Sequence, residues 1–150
     1  GFCWTRNAKM ADDQNYMDIQ IGDFEASWNL KHGEPFAARE NAIYEVGCIH
    51  NVQGLEFDYI GVIIGPDLKY ENGKVMTDYK KRANTEKSLY GLYVLMKKDK
   101  EYYEQLADTI IRNTYRVLLT RGIKGCYVYA CDDNLRKYLK KIVKNRFVRS

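Results

Sequence analysis

Residues 48–65 read CIHNVQGLEFDYIGVIIG. The second half, Tyr59 to Ile64, is nearly all apolar, as expected of a strand covered on both faces. Gly65-Pro66 then ends it. The first half crowds His50, Asn51, Gln53, Gly54 and Glu56 between that strand and a β-rich run from Ala42 to Ile49. Polar groups held at a junction of buried segments are costly unless a partner uses them.

The elements on either side set the fold class. Phe2-Cys3-Trp4 reads as the end of a strand, and the alternation of Asp18-Ile19-Gln20-Ile21 as a short strand followed by a loop through Trp28 and Gly33. Past Gly65, Glu71-Asn72-Gly73-Lys74 carries the Asn-Gly pair of a tight hairpin. The basic run Tyr79 to Asn84, with Lys80, Lys81 and Arg82, reads as a loop that is either a solvated surface or a contact for nucleic acid.

Helical spacing is strongest further on. Tyr103, Leu106, Ala107, Ile110, Ile111, Val117 and Leu118 fall on one side, with Glu101, Glu104, Asp108, Arg112 and Arg116 on the other. Asp108 and Arg112 are a favourable i,i+4 pair, and Gly122 supplies the stop. Cys126 to Cys131 follows as a buried strand. Asp132 then caps a last helix with an apolar stripe at Leu135, Tyr138, Leu139, Ile142 and Val143. The opposite face, Arg136, Lys137, Lys140, Lys141 and Lys144, reads as solvated. Strands alternating with helices argue for a three-layer α/β domain with a mostly parallel sheet. Ligands of such sheets sit beyond the carboxyl ends of the strands, and residues 48–58 follow one strand.

Size and composition agree with one domain. The 150 residues are 45% hydrophobic and 29% charged, enough to bury a core. No apolar run reaches ~18 residues, so no membrane partner is expected, and no secretory leader is visible. The chain opens Gly1-Phe2-Cys3-Trp4 without an initiator Met and is read as a piece of a longer, cytoplasmic protein. Cys3, Cys48, Cys126 and Cys131 form no Cys-x-x-Cys pair and there are two histidines, so reduced structural thiols are expected and no metal site. The net charge of +4 is a weak hint of a polyanionic partner.

Two constellations could carry chemistry. In Val52-Gln53-Gly54-Leu55-Glu56 a glycine lets backbone approach a ligand and Gln53 offers both donor and acceptor. Glu56 fits either a surface salt bridge on a capped turn or the acceptor of a ribose hydroxyl. In Asn113 to Gly122, Arg121 lies eleven residues after Ile110, close to whole turns at ~100° per residue. Its guanidinium either pairs with the negative end of the helix or reaches a phosphate, which its planar fork suits.

Together "CIHNVQGLEFDYIGVIIG" and "NTYRVLLTRGIKGCYVY" resemble motifs V and VI of superfamily 1 helicases. The chain is most similar to the Schlafen group 3-like DNA/RNA helicase domains, and more distantly to UvrD-like and RecD-like motors. The likeness extends to "GFCW" and "DIQIGDF" near the start. It implies that residues 1–150 are the second, C-terminal RecA-like motor domain of P-loop NTPase type. Such a domain closes over ATP with Mg2+ bound mainly by an N-terminal RecA-like domain, and acts on single-stranded DNA or RNA.

By position, the resemblance makes Arg121 the motif VI arginine finger, with Thr120 beside it on the nucleotide side. It makes Glu56 the motif V acid at the nucleotide sugar, and Gln53-Gly54 the motif V turn, where UvrD-like members carry Lys-Gly. His50 corresponds to the histidine near the nucleic-acid backbone, and Asn51 stands where close relatives have Thr. Lys80, Lys81 and Arg82 are further candidates for nucleic-acid contact. No G-x-x-x-x-G-K-S/T occurs, and Gly73-Lys74 is followed by Val75, so this stretch of chain is not expected to hydrolyse or hold ATP alone. The alternative is a non-catalytic nucleic-acid-binding or regulatory module on the same fold.

Overall fold

The structure is a computed structural model that describes residues 3–5, 8–10, 13, 15–30, 42–52, 54–83, 88–89 and 91–147. It is a mixed α/β arrangement in which two strand pairs are parallel and two antiparallel. β1 (Ile19–Ile21) and β2 (Phe24–Trp28) form a hairpin, and β2 pairs in parallel with β3 (Glu45–Val46). β4 (Phe57–Ile64) pairs in parallel with β7 (Gly122–Ala130). β5 (Leu68–Glu71) and β6 (Lys74–Thr77) form the second hairpin. Among the described residues the strands fall into three small sheets, two of which contain a parallel pair.

Four α-helices occur among the described residues: α1 (Ile49–Val52), α2 (Leu92–Leu95), α3 (Lys100–Leu119) and α4 (Asp133–Phe147). α3 starts at Lys100 because the Asp99 side chain accepts from the Tyr102 amide, satisfying a donor that the first turn leaves open. α4 starts after Asp132, whose carboxylate accepts from the Leu135 amide at 2.7 Å, as its sequence foretells. In the second hairpin Asn72 and Gly73 have φ of 51° and 77°, the signs a type I′ turn requires.

One core runs under the β4–β7 pair. Val62 and Ile64 from β4, Ile111, Tyr115 and Leu118 from α3, Ile49 and Val52 from α1, Trp28 from β2 and Leu135 from α4 meet there. The fully buried Ile19, Ile111 and Leu135 each contribute roughly 1.5–3 kcal/mol relative to exposure. A smaller cluster joins Leu89, Leu92 and Ala107, with Tyr79 and Tyr103 at its edge. This packs Tyr79, Leu89 and α2 onto α3.

Several expectations change. Phe24–Trp28, read as loop, is a strand, because Gly22 at φ 59° turns the chain back after Ile21. Of the β-rich run, Glu45–Val46 alone is strand; Ala42–Tyr44 is a 3-10 turn and Ile49 opens α1. Cys3 and Trp4 belong to no strand, and Phe2 and Gly33 lie outside the described residues. The run from Tyr79 is a 3-10 turn, Tyr79–Lys81, capped by Asp78, while Asn84 lies outside the described residues.

The two apolar strands are not covered on both faces. The parallel register sets Tyr59 opposite Gly125, Gly61 opposite Tyr127 and Ile63 opposite Tyr129 on one face. Tyr59 is 58% exposed and Tyr127 72%. An open groove of about 740 Å³ runs over this face toward Phe24 and Ile43. The opposite face holds Val62, Ile64 and Ala130, all buried.

Candidate nucleotide and nucleic-acid site

β4 and β7 begin side by side, and the two sequence motifs meet at that entry. The turn ahead of β4 bends at Gly54, where φ is 81°. That angle disfavours any residue with a Cβ, and no atom lies within 4 Å of where one would stand. The ledge is thus bare backbone. Gln53 lies outside the described residues.

The Phe57 amide donates to the Arg121 carbonyl at 2.9 Å, so the backbone just after Glu56 is tied to that of Arg121. Gly122, opposite Phe57, is no simple helix stop. A Cβ there would sit 2.1 Å from the Gly125 carbonyl, because β7 carries an extra residue between its pairings with Phe57 and Tyr59. Lys124 in that bulge is ion-paired with Asp58 at 2.7 Å. The site therefore sits at the amino ends of these strands, where the sequence reading looked beyond carboxyl ends; it follows β3 but precedes β4.

Arg121 is half-buried just past α3. Its Nε donates to the Val117 carbonyl at 3.2 Å, and one terminal nitrogen donates to Thr120 Oγ1 at a long 3.4 Å. The first contact is the helix-end pairing that the sequence left open as one alternative. Among the described residues no carboxylate pairs with it. Thr120 is exposed, with its hydroxyl bound back to the Arg116 and Val117 carbonyls. Glu56 is exposed and its carboxylate takes no partner among the described residues.

His50 is exposed on α1, and α1 packs against α3. Asn51 is half-buried with its side-chain amide donating to the Asn29 side chain, whose backbone has φ of 50°. That internal bond ties α1 to the end of β2. Lys80 and Lys81 are exposed, with Lys80 5.9 Å from the centre of the Tyr79 ring.

Arg82 does not share their surface. It is 5% exposed, and its Nε donates to Asp67, itself fully buried, at 3.0 Å. Its terminal nitrogens donate to Ser88 at 3.2 Å and Thr114 at 3.1 Å. The expectation of a nucleic-acid contact at Arg82 is corrected: the side chain is buried, with Nε and both terminal nitrogens each bonded inside the domain, and does not share the surface of Lys80 and Lys81. Sequence spacing could not separate it from Lys80 and Lys81, because its partner lies fifteen residues back.

This interior network was not foreseen. Tyr115 donates its hydroxyl proton to Asp67 and accepts the Gly65 amide at 3.0 Å. Burial, then the Asp67 charge, holds the Tyr115 phenol well above its ordinary range. The same two causes push the Cys3 thiol up to about 12, while burial alone raises Cys126. These thiols are poor nucleophiles. No group of three or more His, Cys, Asp or Glu residues placed to hold a metal occurs among the described residues, and no described helix is long and apolar enough to cross a membrane.

The chain matches the family described as Schlafen group 3, DNA/RNA helicase domain, over residues 1–132. It is also similar to an uncharacterized protein of Saccharomyces cerevisiae, 31% identical over 132 residues that make up 85% of this chain. The matched region is 28% of that relative's length. No solved structure matches. On the matched span, which takes in both motifs and all of β1 to β7, the chain belongs to the Schlafen group 3 DNA/RNA helicase domain family.

Proposed function

We propose that this chain is the second motor domain, of three-layer RecA-like type, in an ATP-dependent DNA or RNA helicase or translocase. It would work against an N-terminal RecA-like domain of the same protein that binds ATP with Mg2+. The observation that carries the reading is that the backbone bond from the Phe57 amide to the Arg121 carbonyl brings the segments holding Glu56 and Arg121 together at the entry of β4 and β7, with neither side chain in an ion pair among the described residues. A carboxylate and a guanidinium carried at one strand entry, neither in an ion pair among the described residues, suit a ligand bearing both hydroxyls and anions.

The residues present fit a nucleotide. Gly54 leaves open space along the turn, Glu56 is placed to accept a sugar hydroxyl, and the Arg121 fork has donors beyond its two local bonds. When bound, ATP supplies the phosphoanhydride that breaks. Arg121 stabilises the negative charge that develops on the transferred phosphoryl group, an effect worth roughly 10³–10⁵ in rate in related systems. Thr120 steadies the guanidinium through its hydroxyl. His50, with Lys80 and Lys81, grips single-stranded phosphates, which makes the hold salt-dependent and largely blind to sequence.

The test uses the full-length protein. Arg121→Ala should abolish nucleic-acid-stimulated ATP hydrolysis while nucleotide binding, read by a fluorescent ATP analogue, stays within a few-fold. Near-normal turnover in that variant overturns the assignment.

A further inference from the structure

A second groove, about 750 Å³, opens between the β5–β6 hairpin and α4 and is lined by none of the residues assigned to the motor site. Its volume is in the range of small-ligand sites. Tyr70 from the hairpin and Tyr138 from α4 line it and stack, with ring centroids 4.1 Å apart and planes 15° from parallel. Lys137 and Lys141 line it one turn apart on α4, and the amides of Asn72 and Asn134 stand at its rim.

The lysines together with the tyrosine stack distinguish this groove from an ordinary solvated face. Some exposed cations elsewhere are compensated, Lys69 by Glu71, Lys124 by Asp58 and Arg112 by Asp108, while Lys80 and Lys81 are not in an ion pair among the described residues. On α4 itself Arg136 is held by Asp133 and the Ala130 carbonyl, and covers the Tyr129 ring. Lys137 and Lys141 meet no carboxylate among the described residues. Like charges one turn apart on a helix repel. The one acid in the groove, Glu71, is already bound to Lys69 at 2.7 Å. The walls are also fixed, since one oxygen of Asp132 accepts both the Leu135 amide of α4 and the Tyr70 amide of the hairpin.

Unpaired ammonium groups bind phosphates, aromatic rings stack on bases, and side-chain amides offer donors and acceptors to base edges. We propose that the groove between the hairpin and α4 is an auxiliary binding site for single-stranded nucleic acid. Lys137 and Lys141 hold phosphates there, and the Tyr70–Tyr138 stack supports a base. The proposal deepens the nucleic-acid partner of the motor reading but uses none of the residues assigned to the motor, and α4 lies past the family-matched span.

The experiment takes full-length protein carrying Lys137→Gln with Lys141→Gln and measures its affinity for an oligouridylate by fluorescence anisotropy across a salt series. Affinity should fall about tenfold or more near 0.1 M salt, and the log–log salt slope should flatten by about 1.4, from two phosphate contacts at about 0.7 each. Photo-crosslinking with 5-bromouracil in the oligonucleotide should mark the Tyr70 or Tyr138 peptide. ATP hydrolysis without nucleic acid should be unchanged. Wild-type affinity and slope in the double variant overturn the proposal, as does equal competition by polyglutamate. Arg121→Ala, measured in parallel, should bind the oligonucleotide normally. Loss of binding in the lysine variant with full turnover in Arg121→Ala sustains the groove and sinks the motor reading.

Discussion

The two ends of the β4–β7 pair treat an arginine in opposite ways. At the exit of β4, Arg82 is sealed against Asp67, Ser88 and Thr114, and Tyr115 closes the remaining carboxylate oxygen. At the entry, Arg121 rests on a carbonyl and a hydroxyl of its own helix end. The sealed end uses charge to fasten the hairpin segment to α3. The open end keeps charge at the surface, where holding it costs little. A buried pair is no bargain against apolar packing, but removing one partner strands the other without solvent. Stability is therefore most sensitive at one end, and chemistry at the other.

That contrast can be broken experimentally. Arg121→Ala should lower stimulated ATP turnover of the full-length protein by roughly 10³ or more, while unfolding free energy shifts by about 1 kcal/mol or less. Arg82→Ala should do the reverse. It leaves the Asp67 carboxylate buried, and about 3–5 kcal/mol of stability should vanish in a denaturant titration. If the two variants destabilise equally, the ends are not different in kind. Tyr115→Phe sharpens the same point, since it orphans the Gly65 amide and should cost about 1–3 kcal/mol by the same titration.

The smallest effect concerns pH. Burial pushes the Asp108 carboxyl up, but hydrogen bonds from Arg112 and Thr77 together with the Arg112 charge outweigh it and hold the group below its ordinary value. A depressed carboxyl stabilises the fold above its unfolded value and ceases to do so as pH falls through the folded one. Asp108→Asn should thus lose about 0.3–0.5 kcal/mol at neutral pH and show no loss at strongly acidic pH. A constant difference across the titration would rule out this origin.

The sequence was most readable where signals are local. Asp132 caps a helix, Asn72-Gly73 turns a hairpin, and Asp108 meets Arg112 because each interaction spans four residues or fewer. The helix stripe was found in part: Ala107, Ile111 and Leu118 are buried as expected, but so are Thr114 and Tyr115, whose polar atoms are consumed by distant partners. Sequence separations of thirty-two and forty-eight residues leave no periodic trace. The apolar run from Tyr59 misled for a related reason. Composition says a strand is apolar, whereas its cover depends on which elements pack over it, and Tyr59 and Tyr127 face outward. Of the site, the adjacency of the segments holding Glu56 and Arg121 follows from the parallel register, which no single motif encodes.

The shared acceptor at Asp132 has a practical meaning for anyone dividing this protein into pieces. The family match stops at residue 132, a natural place to cut. Yet the oxygen that starts the final helix is the one that fastens the strand at Tyr70. Ending the polypeptide at Asp132 would keep the carboxylate but discard the helix it starts, and with it Leu135 from the main core and the Tyr138 ring stacked on Tyr70, so α4 belongs with this unit.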